Sequence, residues 1–232
     1  MKEQERILQK QELIFPGANT SLACTTQGSY EPVGAVVHYT AGRRGNPSST
    51  ISWANLIDAK QKKTAAYTFH LIEADGTFYQ THPIKRWGFH AGTSEWPGLG
   101  KSLSNKLIGI EIAAAGLLSN VKVIDKTAPG YPIGVCEVIG QAWFDQVPRK
   151  YFARYNDGRF GPDKGWYEAF TMEQEQKLVD FLIWCKKVLP KFQFDYVLGH
   201  HEISPKRKQD PEAALSMSMG ELRKFLSQTI SS

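Results

Sequence analysis

The sequence predicts one α/β domain, on three observations. Strand-like apolar runs, G-A-V-V-H from Gly34 and I-G-I-E-I from Ile108, alternate with segments of helical periodicity. A length of 232 residues suits one large domain able to bury a substantial core without disulfide or metal staples. Composition is that of an ordinary soluble globular protein, with 41% hydrophobic and 12% aromatic residues.

Taken in order, residues 1–30 are expected to form an N-terminal segment packed on the body, with Ile7, Leu8, Leu13 and Ile14 in a short helix, and residues 31–232 to form the body itself. Residues 34–38 read as a buried strand. The loop G-R-R-G-N-P-S-S-T that follows Ala41 leads to a helix over residues 49–62, with Ile51, Ala54 and Ile57 at helical spacing. In Y-T-F-H-L-I-E-A-D-G-T-F-Y-Q, two β-rich runs flank Asp75-Gly76, a dipeptide suited to a hairpin turn. Alternation in I-G-I-E-I puts Ile108, Ile110 and Ile112 on one face and Gly109 with Glu111 on the other.

Residues 117–170 are rich in Gly, Pro, Tyr and charge, and read as a long insertion, a kind of segment that is commonly functional or mobile. Thr171 and Gln174 form a capping box that opens a helix through about residue 188, with Leu178, Phe181, Leu182, Cys185 and Leu189 as its apolar stripe. A short strand over residues 196–198 delivers His200. Ser218 caps a terminal helix whose Met219, Leu222, Phe225 and Leu226 are expected to pack inward. No internal repeat is present.

Several function classes recede on composition alone. No apolar run approaches the length of a membrane span, so no integral membrane segment is expected. The net charge of +5 suits an anionic partner, but K-R-K at 206–208 is too short for a nucleic-acid patch, and no nucleic-acid partner is expected. Cys24, Cys136 and Cys185 lack C-x-x-C spacing and fit neither a disulfide framework nor a zinc ribbon. The first residues mix charges of both signs without an apolar core, unlike a secretory signal, which points to the cytoplasm or to delivery by a non-Sec route.

Chemistry concentrates in G-H-H-E-I-S-P-K-R-K-Q-D-P, where His200, Lys208 and Asp210 place an imidazole, an ammonium and a carboxylate on one short segment. His38, at the end of its apolar run, supplies a third metal ligand. Two His and one Asp leave the fourth position of a Zn2+ ion open to water, the arrangement of a catalytic site. Glu111 is the nominee for the base that takes the proton of that water, and Lys208 for the cation that steadies an oxyanion. Singly, each residue has a plainer reading: Glu111 a surface carboxylate, Lys208 a solvated charge, Asp210 a turn residue before Pro211. On this spacing the set favours amide or ester hydrolysis.

V-V-H-Y-T at 36–40, D-G-T-F-Y-Q at 75–80, W-G-F-H-A-G at 87–92, I-G-I-E-I at 108–112 and the G-H-H-E segment at 199–211 together resemble the type 2 N-acetylmuramoyl-L-alanine amidases, relatives of the peptidoglycan recognition proteins and of phage amidase lysozymes. The resemblance spans roughly residues 34–215. It implies a central mixed β-sheet flanked by helices, a Zn2+ cofactor held by His38, His200 and Asp210, Glu111 as acid/base and Lys208 as transition-state stabiliser. The implied reaction cleaves the amide between the lactyl group of N-acetylmuramic acid and L-alanine of the stem peptide, with peptidoglycan or muropeptide as substrate. His90 resembles a residue lining the substrate cleft. Relatives carry Tyr or His on the strand before D-G, whereas here Tyr67 and His70 flank Thr68 and Phe69; a slip of one reverses the face, so neither is assigned a role.

His201 is expected to be a hydrogen-bonded structural histidine pointing away from His200 on an extended segment, and His82 to be ordinary surface. Trp87, Trp96, Trp143 and Trp166 are open between sugar stacking and core packing. A recognition module that holds muropeptide without cutting it is the alternative of a different class, and an amidase or peptidase for an unrelated soluble amide is a third.

Overall fold

The protein is described from a computed structural model, which covers residues 13–42, 67–126, 133–140 and 147–230. Along the chain come β1 (Gly34–Tyr39), β2 (His70–Ile72), β3 (Phe78–Tyr79), β4 (Glu95–Trp96), β5 (Gly100–Lys101), β6 (Leu107–Ile112), β7 (Lys122–Lys126), β8 (Ile133–Val138), β9 (Arg149–Asn156) and β10 (Gly165–Glu168). Then follow α1 (Met172–Val188), β11 (Val197–Gly199), α2 (His200–Ile203) and α3 (Met219–Thr229).

The central sheet runs β11-β1-β6-β2-β3, parallel except for β3, which pairs antiparallel with β2. This is the mixed sheet expected from the sequence. The hairpin turns where Asp75-Gly76 predicts it, and Gly76 takes the φ of 79° that this turn asks of a residue without Cβ.

Each strand of a sheet has two faces, and here they do different work. Ala35, Val37, Ile108, Ile110 and Ile112 face a large core shared with Leu178, Phe181, Leu182 and Cys185 of α1 and with Met219, Leu222 and Leu226 of α3. The opposite face carries Val36, Leu107 and Leu198 under a smaller cap made by Ala91, Leu103 and Ile203. Because side chains alternate, His38 and Glu111 fall on this second face, next to each other in the register of β1 and β6.

α1 begins as predicted: Thr171 Oγ1 accepts from the Gln174 N–H, and the Gln174 side chain accepts from the Thr171 N–H. Gln174 also donates to the Ala113 carbonyl, tying the start of the helix to the end of β6. Its stripe is fully buried; truncating Phe181 to Ala would cost about 3–5 kcal/mol. α3 is capped by Ser218 as expected. Phe225 departs from expectation, 44% exposed on the outer side of α3, because three residues suffice to fill the stripe that faces the core.

The described residues of the 117–170 segment do not form one long loop. They fold into a four-stranded antiparallel sheet, β10-β9-β8-β7, whose inner face packs Cys136, Val138 and Ala153 on Ala115 and Leu118. Alternation was there to read in I-G-V-C-E-V, but the Gly and charge around it obscured it. Leu13 and Ile14 lie in no helix; Phe15 instead anchors the N-terminal segment in the main core, edge to face with Phe78 and Phe181. Ile7, Leu8, the 49–62 helix and Trp143 lie outside the described residues. Among the described residues no helix is long and apolar enough to cross a membrane.

Candidate metal centre

The site sits at the carboxyl ends of the parallel strands β11, β1 and β6, where open α/β sheets gather their ligand-binding residues. His38 is the penultimate residue of β1, and Val37 pairs with Gly199, so His200 starts α2 directly beside it. Asp210 arrives on the segment after α2. His201 pins that segment: both its backbone N–H and its Nδ1 reach the Asp210 carbonyl, at 2.9 and 3.1 Å. It is thus the structural histidine expected, although on a helix and not on an extended segment.

Three donor atoms converge. His38 Nδ1 lies 2.8 Å from His200 Nδ1 and 2.8 Å from Asp210 Oδ2, and His200 Nδ1 lies 2.9 Å from the same oxygen. All three side chains are buried. The far nitrogen of each imidazole is also engaged: His200 Nε2 lies 3.0 Å from the Ala91 carbonyl, and His38 Nε2 3.2 Å from His90 Nδ1. Arg207 Nη2, a donor, lies 3.3 Å from the same His200 nitrogen; the shorter contact is to a carbonyl, which only accepts, and it assigns the His200 proton to Nε2 and a bare Nδ1 to the cluster.

Electrostatics push in the same direction. Burial, then the neighbouring His200, lower the His38 imidazole from 6.5 to about 4, so it is neutral at neutral pH. Burial would raise the Asp210 carboxyl; hydrogen bonding to His200 and His38 lowers it by more, a stabilisation that a cation in the same place supplies once those nitrogens are bare. Bare nitrogens and an anionic oxygen within hydrogen-bonding distance of one another repel unless a cation joins them. The donor set therefore fits a metal ion, and these atoms lie within 4.8 Å of one another.

Glu111 and Lys208 border the cluster. Glu111 is half-buried, and its Oε2, closed to solvent, has no hydrogen-bond partner among the described residues. Burial, aided by the Asp210 charge and opposed by Lys208, lifts its carboxyl well above the ordinary carboxylate range. The Lys208 ammonium lies near enough to lower the proton affinity of both Glu111 and His38. All six residues predicted from sequence (His38, His90, Glu111, His200, Lys208 and Asp210) thus fall in one neighbourhood.

Supporting residues were less legible. Arg207 donates to the carbonyls of Ala91 and Thr93 and to Ser204 Oγ, joining the F-H-A-G loop to the α2 segment. Arg223 of α3 grips Glu202 of α2 through both carboxylate oxygens, at 2.8 and 2.9 Å. From the second sheet, Asn156 and Tyr167 donate to Glu212 Oε2, and Arg154 donates to the carbonyls of Ala213 and Ala214, just past the third ligand. A spacing argument carries no signal for such contacts, since their partners come from distant strands.

Two other expectations are corrected or closed. His82 is buried, not surface: from the bend after β3 its ring stacks 4.2 Å from that of His70, which itself meets Phe181 of α1. Trp166 packs in the core of the second sheet, Trp96 against the smaller cap, and Trp87 edge-on to Phe89.

The family profile described as N-acetylmuramoyl-L-alanine amidase matches residues 28–213. Among solved structures, a selenomethionine derivative of AmpD aligns with a TM-score of 0.54 at 18% identity, over 88% of this chain and 92% of that one. The amidase LysC from Clostridium intestinale URNW aligns at 0.49 and 14% identity, over 90% of this chain and 95% of its own. AmpDh3 from Pseudomonas aeruginosa, in complex with anhydromuramic pentapeptide, aligns at 0.47 and 19% identity, over 82% and 59%. No curated protein matches in sequence. With AmpD the likeness is one of fold; the profile match spans most of the chain and every donor of the metal centre, and the chain belongs to the N-acetylmuramoyl-L-alanine amidase family.

Proposed function

We propose that this chain is a zinc-dependent N-acetylmuramoyl-L-alanine amidase that hydrolyses the amide between the lactyl group of N-acetylmuramic acid and L-alanine of the peptidoglycan stem peptide. The observation that carries the proposal is the meeting of His38, His200 and Asp210 beside a carboxyl of raised proton affinity. Imidazole and carboxylate donors in a set of three suit Zn2+ with one position left for water.

When bound, zinc supplies Lewis acidity and a water whose pKa falls to about 7. The remaining chemistry belongs to the chain. His38 and His200 as neutral imidazoles and Asp210 as a carboxylate would hold the ion, one negative charge against its two positive ones. Ionised Glu111 takes the proton of the attacking water, and its raised pKa makes the resulting acid able to return that proton to the amine nitrogen as the C–N bond breaks. Lys208 places a cation where negative charge gathers on the carbonyl oxygen, a term worth about 3–4 kcal/mol at comparable sites.

A muropeptide-binding module without catalysis is the second reading. The presence of acid/base and cation beside a full donor set argues for turnover. The test is to incubate the purified protein with muropeptides, with and without a chelator. Release of intact stem peptide that stops on chelation and returns with zinc supports the amidase. Tight binding without release overturns it in favour of recognition, and hydrolysis of unrelated amides but not of muropeptides would assign a different substrate class.

A further inference from the structure

His90 is matched by resemblance to a residue of the substrate cleft, yet both of its ring nitrogens are used inside the protein. Nε2 lies 3.0 Å from the Leu107 carbonyl and Nδ1 lies 3.2 Å from His38 Nε2. The carbonyl can only accept, so Nε2 of His90 holds a proton, and a neutral ring then presents a lone pair at Nδ1. That lone pair accepts from His38 Nε2–H. A neutral His38 with its proton on Nε2 has a bare Nδ1, the atom that faces His200 and Asp210.

The sheet is shaped to seat this ring. Gly109 shares the site face of β6 with Leu107 and Glu111, and a Cβ built there would stand 2.6 Å from Cγ of His90. From the other side, Ser104 Oγ accepts from the backbone N–H groups of His90 and Ala91, at 3.2 and 3.0 Å. The glycine of I-G-I-E-I and the histidine of F-H-A-G are therefore two halves of one fitting.

We propose that His90 is a positioning residue that relays from the Leu107 carbonyl to His38, locking His38 in the tautomer that binds the metal, and that Gly109 is glycine to make room for it. The inference rests on the metal reading above and assigns His90 a role exerted through His38. Partners of this kind typically contribute tenfold to hundredfold in metal affinity.

The test compares zinc affinity, by chelator competition, of the wild-type protein with that of His90→Gln and His90→Phe. A Gln carboxamide can accept from His38 through its oxygen and donate to Leu107 through its nitrogen; a Phe ring keeps the bulk and does neither. We expect His90→Gln to stay within a few-fold of wild type and His90→Phe to lose on the order of tenfold to hundredfold. A merely space-filling role gives the reverse order and overturns the proposal, as does unchanged zinc affinity in His90→Phe with a raised KM, the mark of a substrate contact. A second measurement needs no variant: in zinc-loaded wild type, imidazole nitrogen NMR should find the protons of His38 and His90 on Nε2, and a proton on His90 Nδ1 overturns the relay. If the wild type binds no zinc, the metal reading falls and this inference with it; if it binds zinc but His90→Phe does so equally well, only the relay falls.

Discussion

His38 and His200 meet on one face of the central sheet, while His70 and His82 stack on the side of its other face, against Phe78 and Phe181. Both pairs are buried and both include a histidine on a strand of the same sheet. Register separates them: His38 lies beside Glu111, His70 beside Ile110. On the site face each imidazole has a polar partner for its far nitrogen and a shared carboxylate at its near one. In the core, neither nitrogen of His70 has a hydrogen-bond partner among the described residues, and His82 reaches only the Thr81 hydroxyl. Proximity of two buried histidines is thus not what makes a metal site. A convergent carboxylate is what sets the candidate site apart.

The sharpest way to break the comparison is to take away the carboxylate. Asp210→Ala should leave two imidazoles, like the core pair, and lose stoichiometric zinc by metal analysis; retention of one zinc per chain would place the ligand elsewhere. Next in size come the groups beside the metal. Glu111→Gln and Lys208→Ala should each lower turnover on the order of a hundredfold or more with zinc still bound. Near-normal turnover in either variant removes that residue from the mechanism. Only the ionised carboxylate can accept a proton, so kcat/KM should fall as pH drops through the raised pKa of Glu111, placing the acidic limb above the ordinary 4.5.

Smaller effects belong to the core pair. Burial depresses both rings, His82 from 6.5 to about 3 and His70 well below its ordinary value. A depressed histidine is a base that the unfolded chain protonates first. Its contribution to stability is therefore complete above about 6.5 and is lost as pH falls toward about 3. His70→Leu should flatten that acid dependence in chemical denaturation and leave zinc content untouched. Because it removes buried nitrogens without partners, stability at neutral pH should hold or rise by about 1 kcal/mol. A marked fall in zinc affinity would tie the two faces together and defeat the contrast.

The parts of this molecule legible in its sequence are those governed by local rules. Alternation placed Glu111 opposite the Ile108 and Ile110 face, the Thr171 and Gln174 box located α1, and Asp75-Gly76 located the hairpin. The proposed metal donors were legible because their chemical type is rare and two of them, His200 and Asp210, share one short segment. The partners of those donors were not. His90 and Gly109 meet only after β6 and the F-H-A-G loop have packed, and Glu212 finds Asn156 and Tyr167 across a sheet that its own Gly and charge content hid. His82 was misread for the same reason: a lone histidine before a proline looks like surface until the core closes over it.

X-ray absorption at the zinc edge of the protein loaded with one equivalent of zinc, compared with Asp210→Ala, tests the central claim most directly. The account predicts a first coordination sphere of two imidazole nitrogens with carboxylate and water oxygen in the wild type, and its loss in the variant. A sphere containing sulfur, or one unchanged by Asp210→Ala, would contradict it.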